Sequence, residues 1–360
     1  MSEIKVPRRV LLQMSLGAGF GALAARGVGA AESGNTARVA DANATVDLQR
    51  KGLQIAITGS GSALPDPFRG GASCALVIDG RVLQFDFGRQ VMENLMLMGV
   101  SPMQIDEIYF THLHFDHIND YDYYATATWL SGLQKDVNVF GPSGTQFMSD
   151  SAIKGMHKVM YDHVRAMRNR PVRPLNVREE PPFVIKEVSG GTVVENDSYK
   201  VTCARVPHTG GDVVSLGYRI ESKYGVVAIS GDTAASDVMV ELGKNADVML
   251  HELTIPDFGM TAGGSFSSAA MHNQDQVGGK AAGHTGPTAL GEIAAKANVR
   301  MLVPYHLPPY GSVPAAVEMS SLYYGRETDD AIWAAFIAAI KKNYGGKVVL
   351  ARDRMIMTLA

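Results

Sequence analysis

The stretch IDEIYFTHLHFDHIND, Ile105 to Asp120, decides how the chain is read. Its first half, Ile105 to Thr111, alternates and is rich in β-branched and aromatic residues, the pattern of a strand. His112 and His114 then stand two apart, on one side of an extended chain. Asp116 and His117 follow where the chain turns, and YDYYATATWLSGL beyond them reads as a helix. Neutral imidazoles and a carboxylate are the ligand set for zinc and similar divalent ions. Four such groups, packed between positions 112 and 117 at a strand end, point to metal rather than to a solvated turn.

The rest of the chain sets bounds on that reading. Its 360 residues are 46% hydrophobic and 19% charged, the composition of a soluble globular protein with a sizeable core. A net charge of -3 predicts no general attraction to nucleic acid or to an anionic membrane. Cys74 and Cys203 both lie in apolar, strand-like runs and are expected as buried thiols; whether they pair is not readable from sequence. No stretch beyond residue 30 is long and apolar enough to span a bilayer.

The N-terminus reads as an export signal over residues 1–31. Lys5, Arg8 and Arg9 precede a weakly apolar Gly/Ala-rich segment that ends in small residues, with cleavage expected after Ala30 or Ala31. Arg8-Arg9 followed by Val10-Leu11-Leu12 resembles the twin-arginine signal, although Pro7 stands where Ser or Thr is usual. Delivery to the periplasm by that route is the expectation, with no stable membrane insertion after cleavage. Residues 32–51 read as a polar, flexible lead-in.

From residue 52 to 360 the pattern alternates strands and helices. LQIAITGSGSALPDPFRGGASCALVIDGRVLQFDFG reads as strand, glycine-rich loop and two strands joined at Asp79-Gly80, a hairpin signal. A helix, QVMENLMLMGV, follows; its Met92, Met96 and Met98 are expected as core filler. Residues at about 143–186 form a helical insertion rich in basic residues, and strands return from Thr192. Two strand blocks with interspersed helices predict an α/β protein, an αββα sandwich of two face-to-face sheets with helices outside.

Further candidate ligands end apolar runs, as His112 does: His208 after VTCARVP, Asp232 after YGVVAISG, and His306 after VRMLVPY. In a layered fold, strand ends on one edge converge. Together they bring five histidines and two aspartates, enough for two metals.

With these residues in order, the chain resembles the metallo-β-lactamase superfamily from about Leu53 to its end. His112-x-His114-x-Asp116-His117 matches the family signature, and PHTGG, SGDT and PYHLPP around His208, Asp232 and His306 match its later motifs. The resemblance implies a metallo-β-lactamase sandwich and two divalent ions, with zinc expected. It places His112, His114 and His208 on one ion, Asp116, His117 and His306 on the other, and Asp232 between them. TGSGSALPDPFRGGASCALV is similar to the opening of the ribonuclease Z and zinc arylsulfatase branch, ADVMLHELT to its His-Glu-Ala-Thr segment, and GHTGPTALGEIAAKANV to its Gly-His-Ser/Thr segment. Leu253 departs from the usual Ala. Asp116, Glu252 and His284 are the candidate catalytic residues. A carboxylate beside an imidazole raises its pKa and fixes its tautomer, so a Glu252–His284 pair can protonate a leaving oxygen. His157, His163, His251 and His272 are read as structural or surface residues.

The expected function is a periplasmic hydrolase of small sulfate or phosphate esters, using a hydroxide shared by the two metals. A small ester is the expected partner, and a homodimer is compatible. The alternatives are a ribonuclease Z-like phosphodiesterase acting on RNA and a carboxyl ester or lactone hydrolase. Lys154, Lys158, Arg165, Arg168, Arg170, Arg173 and Arg178 in the insertion favour RNA; export disfavours it, as would a merely solvated basic face. An iron persulfide dioxygenase on this fold would leave the second ligand set and the Glu252–His284 pair without work. The complete ligand set argues against a metal-free binding protein. Tyr310, Tyr323 and Tyr324 are candidates for an aromatic pocket wall.

Overall fold

Asp79-Gly80 turns the chain as its residue types predict. Both residues take positive φ, 51° and 89°, as the two-residue hairpin turn with mirror-image geometry requires, and Ile78 pairs with Arg81 across it. The computed structural model describes residues 37–40, 44–63, 66–208, 213–253, 283–307 and 329–359. The export signal, the Gly/Ser-rich stretch after Leu253, His272, and Tyr310, Tyr323 and Tyr324 lie outside them.

The first sheet takes β1 (Arg38–Val39), β2 (Leu53–Gly59), β3 (Ser73–Ile78), β4 (Arg81–Phe85), β5 (Ile105–Tyr109), β6 (Val137–Gly141) and β7 (Phe183–Glu187). The second takes β8 (Gly191–Glu195), β9 (Tyr199–Val206), β10 (Ser215–Ser222), β11 (Gly225–Ile229), β12 (Val248–Glu252), β13 (Met301–Tyr305) and β14 (Lys347–Val348). β15 (Ile356–Leu359) then returns to the first sheet, between β1 and β2. The strands from β4 to β7 run parallel, as do those from β11 to β14; the other neighbours are antiparallel.

Side chains alternate across each strand, and this sorts the apolar residues into three layers. Leu53, Ile55 and Ile57 of β2 and Leu216, Tyr218 and Ile220 of β10 meet between the sheets. Ala56, Ala75 and Val77 face outward, against α1 (Val91–Leu97) and α3 (Tyr121–Leu130). Between those two helices in sequence lies the short α2 (Phe115–Ile118). Ala228, Met249 and Leu302 of the second sheet face α6 (Asp237–Leu242), α7 (Pro287–Lys296) and the helix Asp329–Lys341. The result is the αββα sandwich that the sequence predicts. Among the described residues no helix is long and apolar enough to cross a membrane.

Four expectations need correction or sharpening. The described part of the lead-in is not a free tail: Arg38 and Val39 pair with Thr358 and Met357, and buried Val46 donates its N–H to the Met98 carbonyl at 2.9 Å. The insertion ends earlier than residue 186, and strands return before Thr192. Its helices α4 (Thr145–Asp150) and α5 (Lys158–Arg168) flank a π-helical turn, Ser151–Met156, and the strand β7 begins at Phe183. β7 is an edge strand, with Val184, Lys186 and Glu187 exposed, so its apolar signal is weak. Met92 and Met98 are core residues, but Met96 is exposed. Cys74 and Cys203 are both free and both lie in the layer between the sheets.

One hydrogen bond ties the two sheets together beside the histidine motif. Tyr218, fully buried in β10, donates its hydroxyl to the Phe110 carbonyl at 2.7 Å, just past the end of β5. Tyr218→Phe keeps the ring and strands that carbonyl. It should lower unfolding stability by about 1–2 kcal/mol while leaving the metal content of the folded protein unchanged, as denaturant melts and elemental analysis would show.

Candidate metal centre

Each residue of the predicted ligand set follows a strand. His112 and His114 follow β5, with Asp116 and His117 on α2; His208 follows β9, Asp232 follows β11, and His306 follows β13. The fold brings these ends together as two groups. His112, His114, His208 and Asp232 form one, and Asp116, His117, Asp232 and His306 the other, with the ligand atoms of each within 4.8 Å of one another. Asp232 is common to both. Its Oδ2 lies 3.8 Å from His112 Nε2, 3.8 Å from His208 Nε2 and 3.3 Å from His306 Nε2, and its Oδ1 lies 3.3 Å from His117 Nε2. Asp116 Oδ2 is 3.5 Å from His117 Nε2 and 3.3 Å from His306 Nε2. Asp232 reaches this position because Gly231 precedes it: a Cβ there would stand 2.6 Å from the Thr111 Cβ.

The surrounding hydrogen bonds settle which ring nitrogens face inward. His208 Nδ1 lies 2.6 Å from the Gly283 carbonyl, which can only accept, so Nδ1 carries the proton and Nε2 the lone pair. His117 Nδ1 likewise donates to Asp86 Oδ2 at 2.9 Å. The Thr111 hydroxyl donates to Asp86 at 2.8 Å and accepts from His112 Nδ1 at 3.1 Å. Three rings therefore turn Nε2 to the same space, with a lone pair on His112 and His208 and, once a cation displaces its proton, on His117. Nε2 of His112 and of His117, together with Asp232 Oδ1, are buried without a hydrogen-bond partner. Buried polar atoms are costly to leave so, and inward lone pairs beside carboxylates are the donor set that a divalent cation satisfies. The residues fit the group.

The electrostatics agree. Burial pushes the His112 ring well below its ordinary pKa and lowers those of His114 and His208, so all three are neutral at neutral pH. Burial also acts to lower His117, but Asp232, Asp116 and Asp86 outweigh it and raise that ring well above the usual value. Burial tends to raise the Asp232 carboxyl, and His306 and His117 hold it far below instead. The centre is thus a place where positive charge is strongly favoured.

Glu252 and His284 sit at its rim as a pair. Glu252 Oε1 accepts from the Thr233 N–H at 3.1 Å, the Thr285 N–H at 3.0 Å and His284 Nδ1 at 3.1 Å. The His284 ring stands 4.9 Å from that of His208 and 5.9 Å from that of His306. Burial works to lower its pKa, yet Glu252 outweighs burial and holds it at about 9. The Glu252 and His284 ligand atoms also gather with His306, but His284 belongs to neither group built on Asp232. His251 is buried, with its Nδ1 2.8 Å from the Glu252 carbonyl, and it belongs to none of the three groups of candidate ligands. His157 pairs with Asp122 at 2.7 Å, on the helical insertion.

A family model described as anti-Pycsar protein Apyc1 matches residues 53–262, more than half of the chain. The chain belongs to the Apyc1 family. Among relatives, ribonuclease Z of Mycobacterium marinum is 26% identical over 304 residues, covering 84% of this chain and 96% of that protein. Human tRNase Z, short form, superposes with a TM-score of 0.59 at 18% identity, covering 85% of this chain and 99% of that one. The metallo-β-lactamase fold protein YhfI from Bacillus subtilis does so with a TM-score of 0.59 at 16% identity, covering 85% and 99%. This Apyc1-family chain is thus similar in sequence to ribonuclease Z and shares the metallo-β-lactamase fold of those solved structures.

Asp86 is absent from the sequence-based list. Its signal, an acidic residue ending the apolar run VLQF, is the one that singled out Asp232. Gly283 acts through its carbonyl and Thr285 through its N–H, which no side-chain pattern reveals.

Two outcomes follow from the shared aspartate and the paired imidazole. Asp232→Ala should lose both metal equivalents, whereas His208→Ala should lose chiefly the one held with His112 and His114; elemental analysis of purified variants measures this. In metal-free protein the His284 ring should titrate near pH 9 by NMR, and Glu252→Gln should bring it back toward the ordinary histidine value. Because the folded pKa is raised, the stability from this pair is full below the unfolded histidine pKa and fades as pH rises through about 9.

Proposed function

We propose that the protein is a ribonuclease Z-like phosphodiesterase that works with two divalent ions, zinc being the expected metal. The observation that carries this reading is the pair of ligand groups sharing Asp232, with a charged imidazole beside them. When bound, such ions lower the pKa of water and neutralise phosphate oxygens. His112, His114 and His208 would hold one ion, Asp116, His117 and His306 the other, and Asp232 both. His284, with Nδ1 committed to Glu252, keeps its Nε2–H for the leaving oxygen; Glu252 holds the tautomer and stabilises the charge. The phosphodiester class rests on the relatives, since ribonuclease Z is what the chain matches over most of its length. They lend no support to a sulfate ester as the main substrate.

A second reading concerns substrate size. Much of the basic charge of the insertion is used internally. Lys154 lies 3.1 Å from Asp150, Lys158 lies 2.6 Å from Asp162, Arg165 lies 3.5 Å from Glu180, and Arg178 pairs with Asp136. Arg168 bonds the Val177 carbonyl, and Arg170 and Arg173 are exposed, as are the paired Lys154 and Lys158. Such a surface offers a long RNA less than the count of basic residues suggests. It favours a nucleotide-sized phosphodiester, which also suits a protein exported through an Arg8-Arg9 signal to the periplasm.

The deciding experiment is a substrate panel on purified, metal-loaded protein: precursor tRNA, a cyclic nucleotide, bis-p-nitrophenyl phosphate, p-nitrophenyl sulfate and p-nitrophenyl butyrate. Cleavage of the phosphodiesters with little turnover of the sulfate and butyrate supports the proposal; the reverse order would sink it. His284→Ala should slow a poor leaving group by about 10²–10⁴-fold, with a smaller loss for p-nitrophenolate and unchanged metal content.

A further inference from the structure

The turn before β15 carries Asp353, whose carboxylate accepts four hydrogen bonds. Oδ1 takes the Ser60 N–H at 2.8 Å and the Ser60 hydroxyl at 2.7 Å. Oδ2 takes the Gly70 N–H at 2.6 Å and the Asn94 side-chain amide at 2.9 Å. This fills the acceptor capacity of a carboxylate. The turn that presents it is itself fixed to β2: the Arg354 N–H donates to the Ile57 carbonyl at 2.8 Å, and the Ile57 N–H to the Met355 carbonyl at 2.9 Å. A residue near the end of the chain thereby grips the segment that leaves β2.

That segment grips the neighbour of a candidate ligand. The Leu307 N–H donates to the Ser60 carbonyl at 2.8 Å, and the Ser62 N–H donates to the Leu307 carbonyl at 3.1 Å. Gly61 between them bridges to Leu307. His306, directly before Leu307, has a φ of 55°, in the left-handed region that a non-glycine residue keeps only where its surroundings hold it. On the other side of His306, the Leu253 N–H donates to the Tyr305 carbonyl at 3.1 Å. His306 is thus clamped from both sides while its Nε2 points at Asp116 and Asp232, 3.3 Å from each.

We propose that Asp353 is a positioning residue for the group formed by Asp116, His117, Asp232 and His306. Asp353 sets the Ser60–Ser62 segment, that segment sets Leu307, and Leu307 sets the backbone of His306. The inference rests on the reading of these four residues as metal ligands. It is selective, because none of these contacts touches His112, His114 or His208, so the two groups should respond differently to the loss of Asp353.

The test uses full-length protein, stripped of metal and titrated with cobalt(II), followed by visible absorption and by calorimetry, with thermal melts of the same samples. Wild type should take up two equivalents. Asp353→Ala should bind the first as wild type does and the second about 10–100-fold more weakly, the range seen when an outer partner of a ligand is removed. Its second-site spectrum should resemble that of His306→Ala. Asp353→Asn, which keeps one acceptor oxygen, should fall between, and it supplies the same reading should the alanine variant not fold. Equal weakening of both equivalents, or a lower melting temperature with both affinities unchanged, assigns Asp353 a merely structural role and overturns the inference alone. Uptake of fewer than two equivalents by wild type overturns the ligand reading and this inference together.

Discussion

Asp86 is a carboxylate whose charge burial works against. Burial raises its pKa, and His117 and the Thr111 donors counter only part of that rise. It stands just past β4 with a φ of 56° and takes the Thr111 N–H at 2.7 Å on one oxygen. Its other oxygen receives the Thr111 hydroxyl and His117 Nδ1. Through Thr111 it also fixes His112. One side chain thus sets the tautomers of two histidines and binds the end of β4 to the motif after β5. Without it, neither ring would be held with Nε2 inward, and the cost of burying those nitrogens would lose its purpose.

The same logic explains where the centre lies. Strands β4, β5, β9, β11, β12 and β13 all run toward it, and each delivers a polar residue just as its apolar run ends. The layer between the sheets stays apolar up to that point, with Tyr218, Ile229, Leu250 and Val303 fully or almost fully buried. The site therefore has an apolar floor, and its first contacts come from short segments that directly follow the strands. Asp232 joins the two sheets electrostatically where Tyr218 joins them by a hydrogen bond.

Much of this was legible from residue order. The strand-end rule found His112, His208, Asp232 and His306 because a lone polar residue closing an apolar run has few structural reasons to be there. The hairpin at Asp79-Gly80 was legible because only a few residue types tolerate positive φ at both turn positions. Asp86 gave the same strand-end signal but no cluster of neighbours to draw attention to it. Asp353 gave none: its partners are Ser60 and Gly70, at the far end of the sequence, and contacts of that separation leave no local pattern. The pairing of Arg38 and Val39 with β15 was missed for a related reason, since two residues are too few to show a period. The pairing within the basic insertion was not legible either. Its charges are visible in sequence, but the acids that neutralise them lie partly within the same segment, and only folding shows who pairs with whom.

The two cysteines carry a consequence for where such a fold can operate. Cys74 and Cys203 are unpaired and sealed between the sheets. Burial pushes the Cys74 thiol far up and the Cys203 thiol up to about 11, so neither offers the thiolate that oxidants and disulfides attack. No covalent cross-link contributes to the fold, and no reactive thiol is exposed to lose. The fold therefore depends on no disulfide, and its thiol chemistry should be the same in a reducing compartment as in an oxidising one.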